Sequence, residues 1–137
     1  MFRLMILALS CALIGCASEP VATRGAATPS VSLRAVTFNI RYDNPNDGVH
    51  TWLNRRDRVA QLLREFDADV IALQEALKHQ LDFLQSELPG WTFVGVGRTD
   101  GDESGEFSPV GVRTDRFELI DWGTWWLSPT PEHPSRG

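Results

Sequence analysis

The chain has 137 residues, of which 42% are hydrophobic and 23% are charged. This length allows one domain, and the composition is that of a folded chain rather than a disordered one. Thirteen Lys and Arg residues stand against 18 Asp and Glu residues, so the formal net charge is -5. Such a chain has no general attraction to nucleic acid or anionic lipid, and a phosphate substrate would need a bound cation.

The first residues have the pattern of an export signal. The apolar run Leu4–Ile14 follows Arg3 and is too short to span a bilayer of ~30 Å as a helix. The tetrapeptide LIGC, which ends at Cys16, resembles the lipobox of bacterial lipoproteins, whose cysteine becomes the lipidated first residue. We therefore expect residues 1–15 to be a lipoprotein signal peptide and Cys16 to anchor an exported protein to the membrane of a bacterial cell envelope. An ordinary signal peptide that is cut nearby is the alternative.

A segment rich in Ser, Thr, Ala and Pro follows the signal. We predict that residues 16–32 form a flexible tether and that residues 33–137 form the folded part. Both cysteines, Cys11 and Cys16, precede the folded part. No disulfide partner, zinc-thiolate site or cysteine nucleophile is therefore expected within it.

The folded part is predicted to begin with a strand and a helix. Leu33–Ile40 has the β-branched and aromatic content of a strand, and a polar loop follows it. Asn54 is the predicted N-cap of the next helix, with Asp57 in a position similar to that of a capping box. The helix continues as one apolar stripe: Val59, Leu62, Leu63 and Phe66.

Further elements follow in the same alternation. Val70–Gln74 is an apolar run typical of a buried strand, and a helix over residues 77–88 ends at Pro89-Gly90. The stripe of this second helix is Leu77, Leu81, Leu84 and Leu88. Strands are then predicted over residues 91–96 and 110–113 and over Phe117–Leu127, the last of these broken at Gly123.

This order, β-α-β-α-β-β-β, predicts a mixed α/β sheet. The first two strands are joined by a helix and should be parallel, whereas the later strands have short connections and should be antiparallel. Both helices should cover one face of the sheet.

Two polar residues stand where neighbouring strands end. Asn39 lies near the end of the first strand and Glu75 directly after the second, 36 positions on. Parallel neighbours would bring both to the edge of the sheet at which α/β proteins bind ligands. An amide and a carboxylate suit Mg²⁺. Alternatively, Asn39 caps a turn and Glu75 caps the following helix.

Longer blocks of sequence around these residues resemble a known family. VTFNIRYDNPNDG, DADVIALQE and GEFSPVGVRTDRFELIDWGTWWLSPTP are similar to the endonuclease/exonuclease/phosphatase superfamily, and the resemblance runs from about Leu33 to the end of the chain. Secreted or lipid-anchored bacterial hydrolases are the most similar subgroup. The resemblance implies a deoxyribonuclease-I-like fold, with this chain forming a mixed-sheet half of a four-layer α/β/β/α sandwich.

The resemblance also implies roles for individual residues. Glu75 matches the glutamate that holds the catalytic Mg²⁺, in whose place Mn²⁺ can act, and Asn39 matches a residue that touches the metal site and the scissile phosphate. Arg41 matches a position that contacts substrate phosphate, with a surface salt bridge as the alternative. Glu106 matches a glutamate that orients the catalytic histidine in some members, with a solvated acidic loop as the alternative.

The 137 residues lack three motifs of the family. They contain no His-x-Asp, Gly-Asp-x-Asn or Ser-Asp-His, and the three histidines (His50, His79 and His133) stand in other contexts. The histidine-aspartate pair would supply the general base. We therefore expect the chain to correspond to an amino-terminal, truncated part of the domain, to be inactive by itself and to expose the sheet face meant for a partner sheet.

Two function hypotheses follow. The first is a Mg²⁺-dependent phosphoester hydrolase of the phosphodiesterase, nuclease or phosphatase type, with a phosphoester of unspecified class as its substrate. The second is a non-catalytic, membrane-anchored lipoprotein that acts as a binding module. For the second, Trp122, Trp125 and Trp126 could form a stacking surface for sugars or bases. Aromatic packing on both faces of a strand is the alternative for these tryptophans.

Overall fold

The computed structural model describes residues 31–136, so the predicted signal peptide, Cys16 and most of the predicted tether lie outside the described residues. No helix among the described residues is long and apolar enough to cross a membrane. The elements in chain order are β1 (Ala35–Asn39), a short 3-10 helix (Pro45–His50), α1 (Trp52–Glu65), β2 (Val70–Gln74), α2 (Lys78–Glu87), β3 (Trp91–Val94) and β4 (Val110–Arg113).

The four strands form one mixed sheet in the order β1-β2-β4-β3. β1 and β2 are parallel, with Ala35 opposite Val70 and Asn39 opposite Gln74. β4 is antiparallel to both β2 and β3. The predicted parallel pair and antiparallel continuation are therefore confirmed.

The core lies between the two helices and one face of the sheet. Ile71 and Leu73 of β2 are 0% and 1% exposed, and they pack against the apolar stripes of both helices. Burying such side chains contributes about 1.5–3 kcal/mol each. The predicted stripes supply the helical side of this core: Val59 and Leu63 from α1, and Leu81, Leu84 and Leu88 from α2 and its end.

The opposite face of the sheet is open among the described residues. Side chains alternate along a strand, so the neighbours of the buried positions point away from the helices. Ala35 and Thr37 of β1 and Val110 of β4 are accordingly exposed. On the covered face, Gly111 makes room for an aromatic ring, because a Cβ there would lie 2.5 Å from Cε1 of Phe93. Helices thus cover one face, as the sequence predicts.

The predicted start of the first helix is wrong. α1 begins at Trp52 with Thr51 as its N-cap, three residues before the predicted cap at Asn54. The side chain of Asn54 donates to the carbonyl oxygen of Val49 at 3.2 Å. The early start follows from packing, because Trp52 is buried and its ring meets that of Phe83 edge-on at 5.8 Å.

The predicted strand over Phe117–Leu127 is also wrong. The segment has no regular secondary structure, and Ile120 and Leu127 are 92% and 98% exposed. Strand propensity reflects packing on a pleated, half-buried surface, and no neighbouring strand among residues 31–136 supplies that surface.

The predicted aromatic packing within this segment is not observed either. Trp122 and Trp125 are exposed, while Trp126 is partly buried and its Nε1 donates to the carbonyl oxygen of Arg98 at 2.9 Å. Two of the three indoles therefore face solvent.

Candidate metal and phosphate site

Asn39 and Glu75 meet at the carboxyl edge of the sheet. Asn39 is the last residue of β1, and Glu75 follows directly after β2. The Nδ2 of Asn39 donates to Oε1 of Glu75 at 2.8 Å. The parallel register brings the two side chains together, as their spacing predicts.

The backbone around this pair is unusual. Glu75 and Arg41 both have a φ of 59°, in the left-handed region that side-chain-bearing residues rarely adopt. Such conformations cost energy and cluster at functional sites. In this conformation the backbone turns sharply at the end of β2, so Glu75 does not simply continue the strand.

The surroundings of Glu75 favour its charged form. The hydrogen bond from Asn39 and the backbone N–H of Tyr42, which donates to Oε2 at 3.3 Å, hold the pKa of Glu75 below its usual range. The positive charges of Arg41 and Arg55 add to this effect. Glu75 is therefore a carboxylate at neutral pH.

The donor set fits a hard cation. Each oxygen of Glu75 accepts one of these hydrogen bonds, and a carboxylate oxygen has a second lone pair for an ion. Oxygen ligands of this kind, completed by water and phosphate, suit Mg²⁺. Among residues 31–136, no group of three or more His, Cys, Asp or Glu side chains could hold a metal ion.

The alternative roles as caps hold for Asn39 but not for Glu75. Asn39 does support a turn, because its Oδ1 accepts the N–H of Arg41 at 2.8 Å. The carboxylate of Glu75 instead bonds with Asn39 and Tyr42. At the start of α2 it is Gln80 whose Oε1 accepts the N–H of Leu77, at 3.0 Å.

Arg41 forms a surface salt bridge, which was the alternative to its predicted contact with substrate phosphate. Its guanidinium makes two hydrogen bonds with Asp47, both of 3.0 Å, and lies 4.6 Å from the ring centroid of Tyr42. Asp47 thereby raises the pKa of Arg41 above its usual value. The charge stands beside a shallow depression of about 460 Å³, lined by Phe38, Asn39, Ile40, Arg41, Asp47, His50, Arg55 and Val59.

Glu106 lies in the loop after β3 and near Glu75 in the fold. An isolated β-bridge between Ala76 and Phe107 brings this loop to the residue that follows Glu75. The carboxylate of Glu106 pairs with Arg98 at 3.2 Å. Among the described histidines, His79 has its own partner, because its Nε2 lies 3.0 Å from Oδ2 of Asp43.

Two residues that sequence reasoning missed hold the loop between Asn39 and the 3-10 helix. Arg55 of α1 donates to the carbonyl oxygens of Ile40, Arg41 and Tyr42. Gln80 of α2 is 0% exposed and donates to the same oxygen of Arg41 at 3.0 Å. The signal for Gln80 was available, because Gln at the third position of a helix is typical of a capping box.

The mixed sheet, with an amide and a carboxylate at its carboxyl edge, defines an α/β protein of the deoxyribonuclease-I-like class. The chain belongs to the Endonuclease/Exonuclease/phosphatase family, whose model matches residues 36–134. The predicted family and fold class are thereby confirmed. The family consists of hydrolytic phosphoesterases that generally depend on a divalent metal ion.

Several solved structures are similar to the chain. An endonuclease/exonuclease/phosphatase from Bacteroides vulgatus is 40% identical, with a TM-score of 0.75 over 77% of this chain and 41% of that one. A mannosyl-6-phosphatase from Bacteroides thetaiotaomicron is 39% identical, with a TM-score of 0.74 over 77% of this chain and 40% of that one. A functionally unknown conserved protein from Enterococcus faecalis is 30% identical, with a TM-score of 0.70 over 75% and 40%.

The chain therefore spans about 40% of the length of these relatives. No match was found among curated proteins.

Proposed function

We propose that the chain is the metal-binding part of a Mg²⁺-dependent phosphoester hydrolase, with Mn²⁺ as a possible substitute. The observation that carries this proposal is the contact between Asn39 and the ionised carboxylate of Glu75, at the edge of the sheet where ligands bind. Membership of a family of phosphoesterases supports it.

In this proposal Asn39 and Glu75 hold the ion, which when bound polarises the phosphoryl group. Arg41 lines the depression beside Asn39, and its positive charge attracts a phosphate oxygen of the substrate there. Glu106 fixes the loop beside Glu75 through its pair with Arg98, and it is available to orient a histidine. The 39% identity with a mannosyl-6-phosphatase favours sugar phosphate monoesters as the first substrates to test.

A general base is expected to come from outside the 137 residues, since they contain no His-x-Asp, Gly-Asp-x-Asn or Ser-Asp-His. We therefore expect the Cys16→Ser chain to bind the metal without turnover of p-nitrophenyl phosphate, its bis-ester or mannose 6-phosphate. Turnover that disappears in Glu75→Ala would contradict this expectation.

Mn²⁺ binding tests the site itself. Paramagnetic broadening of NMR signals should be centred on Asn39 and Glu75 in the Cys16→Ser chain and should be lost in Glu75→Gln. Glu87→Gln, at the far end of α2, is the matched control and should retain it. If the broadening does not depend on Glu75, the proposed metal site is wrong.

Lipidation of Cys16 and export to the bacterial cell envelope are further proposals, supported by the LIGC tetrapeptide after an apolar run. Labelled palmitate should enter the chain expressed in bacteria and should place it in the membrane fraction. Cys16→Ser should abolish both. Incorporation that survives this substitution would reject the lipid anchor.

Exposure of Trp122 and Trp125 favours the second candidate, a membrane-anchored binding module. Titration with an oligosaccharide or a nucleotide should then change tryptophan fluorescence, and Trp125→Ser should reduce the change. A response to oligosaccharide or nucleotide without metal binding would select this candidate over the hydrolase.

A further inference from the structure

Gln80 is a buried polar side chain at the start of α2, and its side-chain hydrogen bonds are all with backbone groups. It is 0% exposed. Its Nε2 donates to the carbonyl oxygen of Arg41 at 3.0 Å, and its Oε1 accepts the N–H groups of Asp43 at 3.1 Å and Leu77 at 3.0 Å. One side chain therefore joins the first turn of α2 to two residues of the loop that follows Asn39.

Arg55 of α1 holds the same loop. Its Nη2 donates to the carbonyl oxygen of Arg41 at 2.6 Å and to that of Tyr42 at 3.3 Å, and its Nη1 donates to the carbonyl oxygen of Ile40. The oxygen of Arg41 thus accepts from Arg55 and from Gln80. Residues 40–43 are thus hydrogen-bonded to one side chain from each of the two helices.

These contacts leave the N–H groups of Arg41 and Tyr42 available to the site. The N–H of Arg41 donates to Asn39 at 2.8 Å, and the N–H of Tyr42 donates to Glu75 at 3.3 Å. Arg41 is held in a left-handed conformation, which an unsupported loop would tend to leave. The carbonyl groups of residues 40–42 thus accept hydrogen bonds from Arg55 and Gln80, while the N–H groups of Arg41 and Tyr42 orient the amide of Asn39 and the carboxylate of Glu75.

We propose that Gln80 is a positioning residue, which fixes residues 41–43 so that Asn39 and Glu75 are held in their cation-binding arrangement before the cation arrives. The metal part of this inference rests on the proposed function. Preorganised ligands bind more tightly because less ordering is required on binding.

A role limited to capping α2 would have a different signature. Capping needs the bond from the N–H of Leu77 to Oε1, and its loss would lower stability without loosening the loop. Positioning also needs the bonds to Arg41 and Asp43. Stability and local order of the loop therefore separate the two roles.

The same helix offers a matched control. Gln85 donates through Nε2 to the carbonyl oxygen of Trp91 at 2.8 Å and accepts the N–H of Phe93 at 3.2 Å, so it also bridges backbone groups. Its partners belong to β3 rather than to the loop. Gln85 is exposed, so Gln85→Met controls for the loss of a side chain that bridges backbone groups in α2, without touching residues 41–43.

The test uses the Cys16→Ser chain with Gln80→Met, Gln80→Glu or Gln85→Met, and NMR amide exchange in the absence of metal. Gln80→Met should speed exchange of the Tyr42 amide by about tenfold relative to Gln85→Met, the factor expected from losing hydrogen bonds of ordinary strength. Gln80→Glu keeps the oxygen acceptors for Leu77 and Asp43 but loses the donor to Arg41. It should also speed exchange of the Tyr42 amide, because the oxygen that replaces Nε2 is repelled by the carbonyl oxygen of Arg41, and it decides the question if Gln80→Met does not fold.

Equal exchange of Tyr42 in the Gln80 and Gln85 variants would overturn the inference. Mn²⁺ titration provides a second, independent readout. Gln80→Met should weaken Mn²⁺ binding, followed by the broadening at Asn39 and Glu75, by a similar factor, and Gln85→Met should not. If Mn²⁺ fails to bind the parent chain, the proposed function fails, whereas amide exchange still decides whether Gln80 positions the loop.

Discussion

β2 lies between two carboxylates, Asp69 before it and Glu75 after it, and the two have opposite surroundings. Asp69 is 1% exposed, accepts the N–H of Arg34 at 2.8 Å and pairs with the guanidinium of Arg116. Glu75 is partly exposed, and its hydrogen-bond partners are an amide side chain and a backbone N–H. Among the described residues, no cationic group lies within 4.0 Å of Glu75 in an ion pair.

The two ends of β2 thus carry two kinds of carboxylate: Asp69 stabilises the fold, and Glu75 is a candidate functional group. The charge of Asp69 is neutralised within the chain, so the group can be buried at the amino edge of the sheet. The charge of Glu75 is stabilised by dipoles and remains accessible, which leaves it able to bind a cation. A cationic partner, present for Asp69 and absent among the described residues for Glu75, thus distinguishes the two carboxylates.

Removing each carboxylate should give the largest contrast. Asp69→Ala leaves Arg116 and the N–H of Arg34 without their partner and should lower the thermal unfolding midpoint by roughly 10 °C or more. Glu75→Ala should lower it by less than half as much. Thermal unfolding followed by circular dichroism measures both, and equal losses would abolish the proposed distinction.

Acid should act on both carboxylates with the same sign. The pKa of Asp69 is lowered by the N–H of Arg34 and then by Arg116, and that of Glu75 by Asn39 and then by Tyr42. A carboxylate whose pKa is lower in the folded chain than in the unfolded chain stabilises the fold at pH values above the unfolded pKa. This stabilisation is lost as the pH falls through the folded pKa.

The thermal unfolding temperature should therefore decrease as the pH is lowered below about 4, where Asp and Glu of the unfolded chain are about half protonated. Asp69→Asn should flatten this fall more than Glu75→Gln does. Denaturation at a series of pH values checks the order, and a steeper fall in Asp69→Asn would refute it.

The left-handed backbone of Glu75 allows a sharper test of its role. Glycine adopts this conformation without the penalty of a Cβ, whereas alanine does not. Glu75→Gly should therefore unfold about 4 °C above Glu75→Ala, a shift that corresponds to ~1 kcal/mol of backbone strain. Both variants should lose Mn²⁺ broadening at Asn39. Retained broadening in either variant would show that the carboxylate is not the ligand.

The smallest effect is expected from an exposed pair beside Asp69. The Arg34 side chain reaches Asp67 at 2.7 Å, but both groups face solvent. Arg34→Ala keeps the backbone N–H that Asp69 accepts, and it should shift the midpoint by no more than about 3 °C. A decrease in the midpoint as large as that of Asp69→Ala would show that the exposed ion pairs, rather than Asp69, stabilise this edge of the sheet.

Local patterns in the sequence were enough to predict most of the fold. β2 and β4 have their predicted bounds, and Leu81, Leu84 and Leu88 of the predicted α2 stripe are buried, because hydrophobic periodicity directly encodes the face that packs. The start of α1 was missed because the burial of Trp52, a tertiary effect, outweighed the capping preference of Asn54. The Phe117–Leu127 segment has the composition of a strand, but a strand also needs a partner.

The candidate site was predictable to a similar degree. The pairing of Asn39 with Glu75 follows from their positions at the ends of two parallel strands. The salt bridge of Arg41 with Asp47 and the contacts of Gln80 and Arg55 depend on how a loop lies between two helices, which residue spacing does not specify. The resemblance to the family indicated Asn39 and Glu75 as candidate ligands, and the structure shows which residues contact them.

The order of the strands also has a consequence for folding kinetics. β3 and β4 pair across a short separation, with Val94 opposite Val110. β2 must instead find β1 and β4 across separations of 35 and 42 positions, from Ala35 to Val70 and from Val70 to Val112. Non-local pairing slows folding, because the entropy of closing the loop is lost before the contacts are gained. We therefore expect the pairing of β2, the strand that ends at the candidate metal ligand, to be the slow step of folding.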